Sequence, residues 1–249
     1  MSYNPFSLEG KIIFVTGASS GIGRATAIEC SKMGARLIIT GRDSERLQDT
    51  YNQLEGENHL QIIADLTINN DIQAIIASLP LLDGVVHCAG FTKSLPFQFV
   101  SEKVLSEIMQ VNFTAPTLIT QALYKQKKIH KDSSIVFISS ISGVYCSYIA
   151  GGMYSASKGA INGIVKAMAI EFGIRNIRVN TICPGMIHTA ILDAGVISKE
   201  QMLDDMKKYP LKRYGEPKEV ALAVVYLLSD ASKWITGSNL LIDGGYTLL

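Results

Sequence analysis

Lys11-Ile-Ile-Phe-Val-Thr-Gly17-Ala-Ser-Ser-Gly21-Ile-Gly23-Arg24-Ala-Thr-Ala-Ile-Glu-Cys-Ser-Lys-Met33 is the stretch that decides the fold class. Its first six residues form a short apolar run, rich in branched residues, of the kind seen in a parallel strand covered on both faces. The last ten carry a helical pattern that Gly34 ends. Between them, glycines at 17, 21 and 23 permit a sharp turn, close approach of backbone to a ligand and tight packing of helix on strand. Strand, glycine turn and helix in that order present free backbone N–H groups and a positive dipole end to a diphosphate. The spacing is GxxxGxG rather than the commoner GxGxxG, so taken alone the stretch also fits a plain glycine-rich turn.

Outward from this unit the alternation repeats. Residues 35–40, 60–64, 83–88, 134–139, 177–183 and 239–245 read as further strands. Helical periods cover 45–54, 69–78, 102–127, 153–173, 198–208 and 216–229, with the 102–127 period broken at Asn112 and Pro116. No repeat, low-complexity run or linker divides the chain. We therefore expect one domain over 1–249: a doubly wound α/β Rossmann-type sheet of seven mostly parallel strands with helices on both faces. Residues 186–214 change character, with Met, Lys and Pro210 among short helical pieces, and read as a lid over a substrate. With 249 residues and 47% hydrophobic content, a large single core is available.

Composition excludes several classes. A formal net charge of +1 gives no global field for nucleic acid. The four cysteines, Cys30, Cys88, Cys146 and Cys183, show no CxxC pair and no Cys/His metal spacing, so a reducing compartment and no metal are expected. Residues 1–10 lack the basic start and apolar run of a signal peptide, and no uninterrupted apolar run reaches ~18 residues. A cytoplasmic protein without membrane contact is expected.

The strand ends carry the chemistry. The second strand runs into Gly41-Arg42-Asp43, where an acidic residue would grip the adenosine ribose of NAD. Arg42 offers instead a guanidinium fork suited to a 2′-phosphate, which favours NADP(H) over NAD(H), although a solvated loop charge reads the same way. Asp43 suits the cap of the following helix. Asp65, after the third strand, fits either a hydrogen bond to an adenine amino group or a helix cap. Ala89 and Gly90 after the fourth let backbone run close against a ligand. Asn112 lies in an apolar segment, and its amide must find partners. Ser140 ends the fifth strand at the sheet edge where such folds bind ligands, as a substrate-oxygen donor or a turn residue.

Tyr154 and Lys158 sit four apart on the 153–173 helix, so both project from one face. A phenol titrates near ~10 and is a poor proton carrier at neutrality unless its phenolate is stabilised. Lowering it by about three units takes on the order of 4 kcal/mol, within reach of one close cation plus a second positive charge. The same pair is also an ordinary helix-surface combination.

Together these residues make the chain resemble the short-chain dehydrogenase/reductase family over nearly its whole length. Thr16-Gly17-Ala-Ser-Ser-Gly21-Ile-Gly23 matches that family's glycine motif, Tyr154-Ser-Ala-Ser-Lys158 its YxxxK signature, and Pro184-Gly185 with Thr189 its segment after strand six. The resemblance implies that Tyr154 is the acid/base for a carbonyl, that Lys158 lowers its pKa and binds the nicotinamide ribose, that Ser140 holds the carbonyl oxygen, and that Asn112 holds a water linking Lys158 to solvent. It implies cofactor contacts at Gly17, Ser19, Ser20, Gly21, Ile22, Gly23, Arg42, Asp65, Leu66, Ala89, Gly90, Pro184, Gly185 and Thr189, besides Tyr154 and Lys158. It also implies a homotetramer packed through the 102–127 and 153–173 helices. The family's usual Asn-Asn-Ala-Gly is here His87-Cys88-Ala89-Gly90, so that turn needs another source of stabilisation. His87 reads as a packed core residue, and His188 as pocket lining.

Within the family the likeness is to 3-oxoacyl-[acyl-carrier-protein] reductases, through the glycine motif, Lys212-Arg-Tyr-Gly-Glu-Pro-Lys-Glu-Val220 and the ending Ile235-Thr-Gly-Ser-Asn239 with Asp243-Gly-Gly245. Relatives acting on polyols, sugars and steroids share these features. Lys127, Lys128, Lys131 and Arg175 offer either a basic face for an acidic carrier protein or a solvated surface. The 75–83 segment is shorter than such a reductase would show. A non-catalytic NADP-binding regulatory protein and an assembly module are the readings from other classes.

Overall fold

Alternation along the apolar runs sends successive side chains to opposite faces, and both faces are buried. Phe14, Ile38, Val85 and Ile135 join one core, whereas Ile13, Val15, Leu37, Ile39, Val86 and Val136 join the other. The structure, a computed structural model, describes residues 3–189 and 198–248, for Lys199 the backbone only. Its strands are β1 (Ile12–Thr16), β2 (Arg36–Gly41), β3 (Leu60–Ile63), β4 (Leu82–His87), β5 (Ile129–Ile138), β6 (Arg178–Pro184) and β7 (Asn239–Ile242). They form one Rossmann-type sheet in the order β3-β2-β1-β4-β5-β6-β7. Every pairing is parallel, where the sequence led us to expect a mostly parallel sheet. The order reverses between β1 and β4, the switch point at which such sheets open a crevice.

Helices cover both faces. On one side α3 (Asn69–Ser78), α5 (Ala115–Lys125) and α6 (Gly152–Phe172) supply Ile72, Ile75, Ile119, Leu123, Ile161 and Val165 to the core. On the other, α1 (Gly21–Lys32) and α8 (Pro217–Leu228) supply Ala27, Cys30, Val220 and Val224. Each fully buried Ile or Val is worth roughly 1.5–3 kcal/mol. Helix α2 (Ser44–Tyr51) starts at Asp43, whose carboxylate accepts the Arg46 amide at 3.0 Å, the cap expected from the sequence.

The 102–127 region is not interrupted as expected. Gln110–Thr114 forms a π turn joining α4 (Glu102–Met109) to α5. Pro116 has no N–H, so the carbonyl of Asn112, four residues earlier, loses its α-helical donor, and a widened turn accommodates both. Helix α7 (Lys199–Met206) opens on a capping box of Ser198 and Gln201. Met186, Met202, Met206, Tyr209, Tyr214 and Tyr246 pack into a satellite cluster. The lid expected over 186–214 therefore has packed flanks, while its residues 190–197 lie outside the described residues. No helix among the described residues is long and apolar enough to cross a membrane.

His87 ends β4 inside the core, 3% exposed, with its ring centre 4.6 Å from that of Phe137. Thr120 Oγ1 donates to Pro116 O at 2.8 Å, so the proton between His87 Nε2 and Thr120 Oγ1, 2.9 Å apart, belongs to the imidazole. Nδ1 is then a bare acceptor with no partner among the described residues. Burial pulls this histidine from 6.5 down to about 3. Above pH 6.5 it is neutral folded and unfolded; as the pH falls toward 3 the unfolded chain takes up a proton that the folded chain refuses, and stability is lost. We predict that the unfolding free energy of the wild type falls more steeply between pH 6.5 and 4.5 than that of His87→Asn, by up to about 1.4 kcal/mol per pH unit in urea titrations. Equal slopes would contradict a neutral buried imidazole.

Candidate active site

A parallel sheet delivers all its strand ends to one edge, and the residues singled out in the sequence meet there. Ser140 follows β5, and Tyr154 and Lys158 occupy the first two turns of α6. Ser140 lies beside the Tyr154 hydroxyl and favours its ionised form. Ser140 Oγ also accepts the Ser142 amide at 3.1 Å. Lys158 is buried, with Nζ donating to Ile138 O at 2.8 Å and lying 5.7 Å from the Tyr154 ring centre.

Burial governs the charges of both. It pushes the Tyr154 phenol up to about 12 against the opposing effect of Ser140, and pulls Lys158 down to about 8. The lowered phenol expected from the sequence is thus not produced by the chain's own groups. Loss of water costs the phenolate more than Ser140 offsets.

Asn112, in the π turn, finds partners on the loop that leaves β4. Its Oδ1 accepts the Phe91 amide, and its Nδ2 donates to Phe91 O and Ser157 Oγ, each at 3.0 Å. A Cβ on Gly90 would stand 3.2 Å from Asn112 Oδ1 and 3.3 Å from Lys158 Nζ. Glycine there keeps open the space on which Asn112 and Lys158 converge. In place of the two amides that His87 and Cys88 replace, Thr16 Oγ1 accepts the Ala89 amide at 3.3 Å and steadies the turn. Burial pushes the Cys88 thiol up to about 12, so it stays un-ionised.

At the glycine turn, a Cβ on Gly17 would meet Ala89 Cα at 2.7 Å, and one on Gly23 would meet Gly17 O at 2.2 Å. Only hydrogen fits, and the turn can therefore settle onto the exit of β4. Ser20 precedes α1 without a side-chain cap bond, and the first turn, starting Gly21-Ile22, carries no acidic residue. Its amides are suited to an anion. Thr189 lies 3.3 Å from the Cβ direction of Gly21, and Ser19 stands 3.1 Å from that of Gly41, beside the exposed Arg42. Asp65 Oδ1 accepts the Thr67 amide and hydroxyl at 2.8 Å each, while α3 is capped at Ile68, so Asp65 closes a local turn and is not the helix cap. The Thr67 amide, with a smaller contribution from Arg42, holds it below the usual carboxylate range. Leu66 is buried and its carbonyl accepts from Gln110. Pro184 O and Gly185 N are bonded to Ile141 and Ile242, which joins the ends of β5, β6 and β7. These features fit an anionic dinucleotide: uncapped amides for a diphosphate and a guanidinium for a phosphate at the β2 end.

Sequence reading missed Arg24. Its guanidinium donates to Ser19 O at 3.0 Å, Arg46 O at 3.2 Å and Thr50 Oγ1 at 3.0 Å, and so ties the glycine turn to α2. An arginine opening the helix after a glycine turn is the signal that could have found it. The loops flanking the site were equally silent. Thr92 Oγ1 and Tyr148 OH lie 3.0 Å apart, and Leu95 N donates to Ala150 O at 2.9 Å, joining the loop after Gly90 to the loop after Ser140. A cavity of about 470 Å³ lined by Tyr145, Cys146, Lys208, Tyr246 and Thr247 adjoins that second loop. Of the basic residues considered for a carrier protein, Lys128 Nζ donates to Ile76 O at 2.6 Å, and Arg175 donates to Ile129 O at 2.8 Å with its guanidinium 5.5 Å over Tyr124. Both are engaged in the fold. Among the described residues no three His, Cys, Asp or Glu side chains gather as a metal-ligand set.

Comparison with known proteins bears on the whole chain. Residues 17–247 match the family described as Enoyl-(Acyl carrier protein) reductase. The chain is 36% identical to carbonyl reductase family member 4 of Danio rerio over 245 residues, covering 96% of this chain and 99% of the relative. It is 31% identical to a 3-oxoacyl-[acyl-carrier-protein] reductase of Aquifex aeolicus over 245 residues, covering 96% and 98%. A solved structure of a candidate 2-deoxy-d-gluconate 3-dehydrogenase from Agrobacterium tumefaciens with bound NADP superposes with a TM-score of 0.88 at 30% identity, covering 99% of this chain and 100% of that one. The chain belongs to the short-chain dehydrogenase/reductase family and is an oxidoreductase of CH–OH and carbonyl groups.

Proposed function

We propose that the protein reduces a ketone to a secondary alcohol at the expense of NADPH, with a 3-oxoacyl thioester as the substrate class. The convergence of the Tyr154 hydroxyl on Ser140, with Lys158 anchored beside them, carries this reading. Ser140 orients the carbonyl oxygen by hydrogen bonding, and Tyr154 gives it a proton. A phenol kept protonated by burial is a proton donor throughout the neutral range, which suits reduction. Lys158, near 8, exchanges protons readily at neutral pH and can reprotonate the phenol through solvent held near Asn112. A bound NADPH supplies the hydride to the carbonyl carbon and, once oxidised, the second positive charge that the phenolate needs. Arg42 takes its 2′-phosphate and the α1 amides its diphosphate.

A sugar or polyol substrate is the second reading. The engagement of Lys128 and Arg175 within the fold weakens a docking face for a carrier protein, and the solved relative with NADP bears a sugar-acid name. A second copy of the chain is the expected partner, and a homotetramer the expected assembly. A Cβ on Gly163 would meet nothing and Ile170 on the same helix is 82% exposed, with Lys166 between them, so the outer face of α6 is open and carries an apolar side chain beside one cation. Gly163→Arg should then dissociate the assembly in sedimentation; an unchanged mass would exclude this face.

NADPH oxidation with acetoacetyl thioesters, keto sugars, diketones and ketosteroids tests the substrate class. A thioester preference is expected, and a keto sugar favoured by more than about 100-fold in kcat/KM would replace it with the second reading. Tyr154→Phe should lose about 10²–10⁴-fold in kcat while cofactor affinity is kept. In the wild type, alcohol oxidation should accelerate as pH rises, because it needs the ionised phenol, whereas reduction should not; parallel pH profiles would remove Tyr154 from the proton path. Arg42→Ala should weaken NADPH by roughly 10–100-fold and leave NADH within about threefold, and equal losses would reject the 2′-phosphate role.

A further inference from the structure

We propose that Asn162, one turn beyond Lys158 on α6, is a positioning residue that fixes the Lys158 turn against the end of β5. This inference rests on the reductase reading of Ser140, Tyr154 and Lys158. Asn162 is 5% exposed, in a helix segment otherwise turned toward apolar packing. Its Nδ2 donates to Lys158 O at 2.7 Å and to Ser139 Oγ at 2.6 Å. Ser139 Oγ in turn donates to the same Lys158 O at 3.2 Å. Oδ1 accepts from Thr181 Oγ1 at 3.0 Å and from Cys183 Sγ at 3.5 Å. The amide can face only one way, because Lys158 O is a pure acceptor and requires the nitrogen. One side chain thus bridges α6 to β5 and β6.

What lies at the β5 end of the bridge gives it consequence. Ser139 stands between Ile138, whose carbonyl receives the Lys158 ammonium at 2.8 Å, and Ser140, which lies beside the Tyr154 hydroxyl. The carbonyl of Lys158 is therefore tied to the strand residue that separates the anchors of Lys158 and Tyr154. Apolar packing between helix and sheet is non-directional and tolerates sliding, whereas these bonds set a distance. A misplacement of about 1 Å at such a site can cost about 10²-fold in rate. If Asn162 merely satisfied Thr181, its loss would lower stability and nothing else.

Asn162→Leu keeps the volume and removes every bond; Ser139→Ala cuts the bridge from the strand side. Thr120→Val, which deletes a buried α5 hydroxyl bonded to Pro116 O and His87 and to no member of the bridge, is the stability control. We expect both bridge variants to lower kcat about 10–100-fold with substrate KM within about threefold, and to shift the pH dependence of kcat. The double variant should cost about as much as the worse single one, since both break one unit. Amide hydrogen exchange without cofactor or substrate should quicken over residues 156–162 in both and not in Thr120→Val. Unchanged exchange with kcat and its pH profile within about twofold of the parent overturns the proposal, as does an equal kcat loss in a Thr120→Val matched for Tm. Should Asn162→Leu fail to fold, Ser139→Ala decides alone. A parent without turnover on any carbonyl would remove the reductase reading, and exchange then decides whether the bridge exists.

Discussion

An ammonium removed from water must be given acceptors, and the arrangement around Lys158 follows from that constraint. The group is buried with its nitrogen on the Ile138 carbonyl, the last of β5. A strand end can provide such a carbonyl because the next strand in the sheet no longer takes it. Ser140 then leaves the sheet one residue later than Ser139, and α6 must return close enough for Tyr154 to reach it. Burial that lowers Lys158 also raises Tyr154, so one cause drives the two protonation equilibria apart, to about 8 and about 12. The phenol therefore keeps its proton near neutrality while the ammonium can release one.

The glycine-turn side of the crevice is built largely from clearance. Gly17 and Gly23 let the β1–α1 turn lie against the exit of β4, and Gly90 leaves space before Asn112 and Lys158. Arg24 supplies the tension that holds the turn in place, through two carbonyls and a hydroxyl. A rigid turn with uncapped amides needs no reorganisation to accept a diphosphate, which lowers the entropic cost of binding. The flank beyond Ser140 is different. There the loops are joined by a few bonds, Thr92 with Tyr148 and Leu95 with Ala150, and a separate small aromatic cluster packs around Tyr209. Such loops tolerate change while the elements that hold Ser140, Tyr154 and Lys158 stay put.

Sequence by itself determined the layered α/β class, because runs of branched residues alternating with helical periods have one stable solution: a parallel sheet covered on both faces. It also located Ser140, Tyr154 and Lys158 at the sheet edge, since strand ends and a four-residue helical spacing are local properties. Asp43 was legible for the same reason, its cap lying three residues from its acceptor amide. The π turn was not, because Pro116 signals a break, and only contacts to the rest of the fold keep the helix running past it.

Tertiary structure alone decided the charges and the long-range polar contacts. The pKa of Tyr154 depends on water excluded by residues far away in the chain, which the helical spacing to Lys158 does not register. Arg24, Thr16, Ser139 and Asn162 have partners 5–73 residues distant, and no spacing rule connects them. Lys128 and Arg175 looked like a free basic face until their carbonyl acceptors were in view. Local pattern fixes which elements form; which polar groups meet is set by how the elements pack.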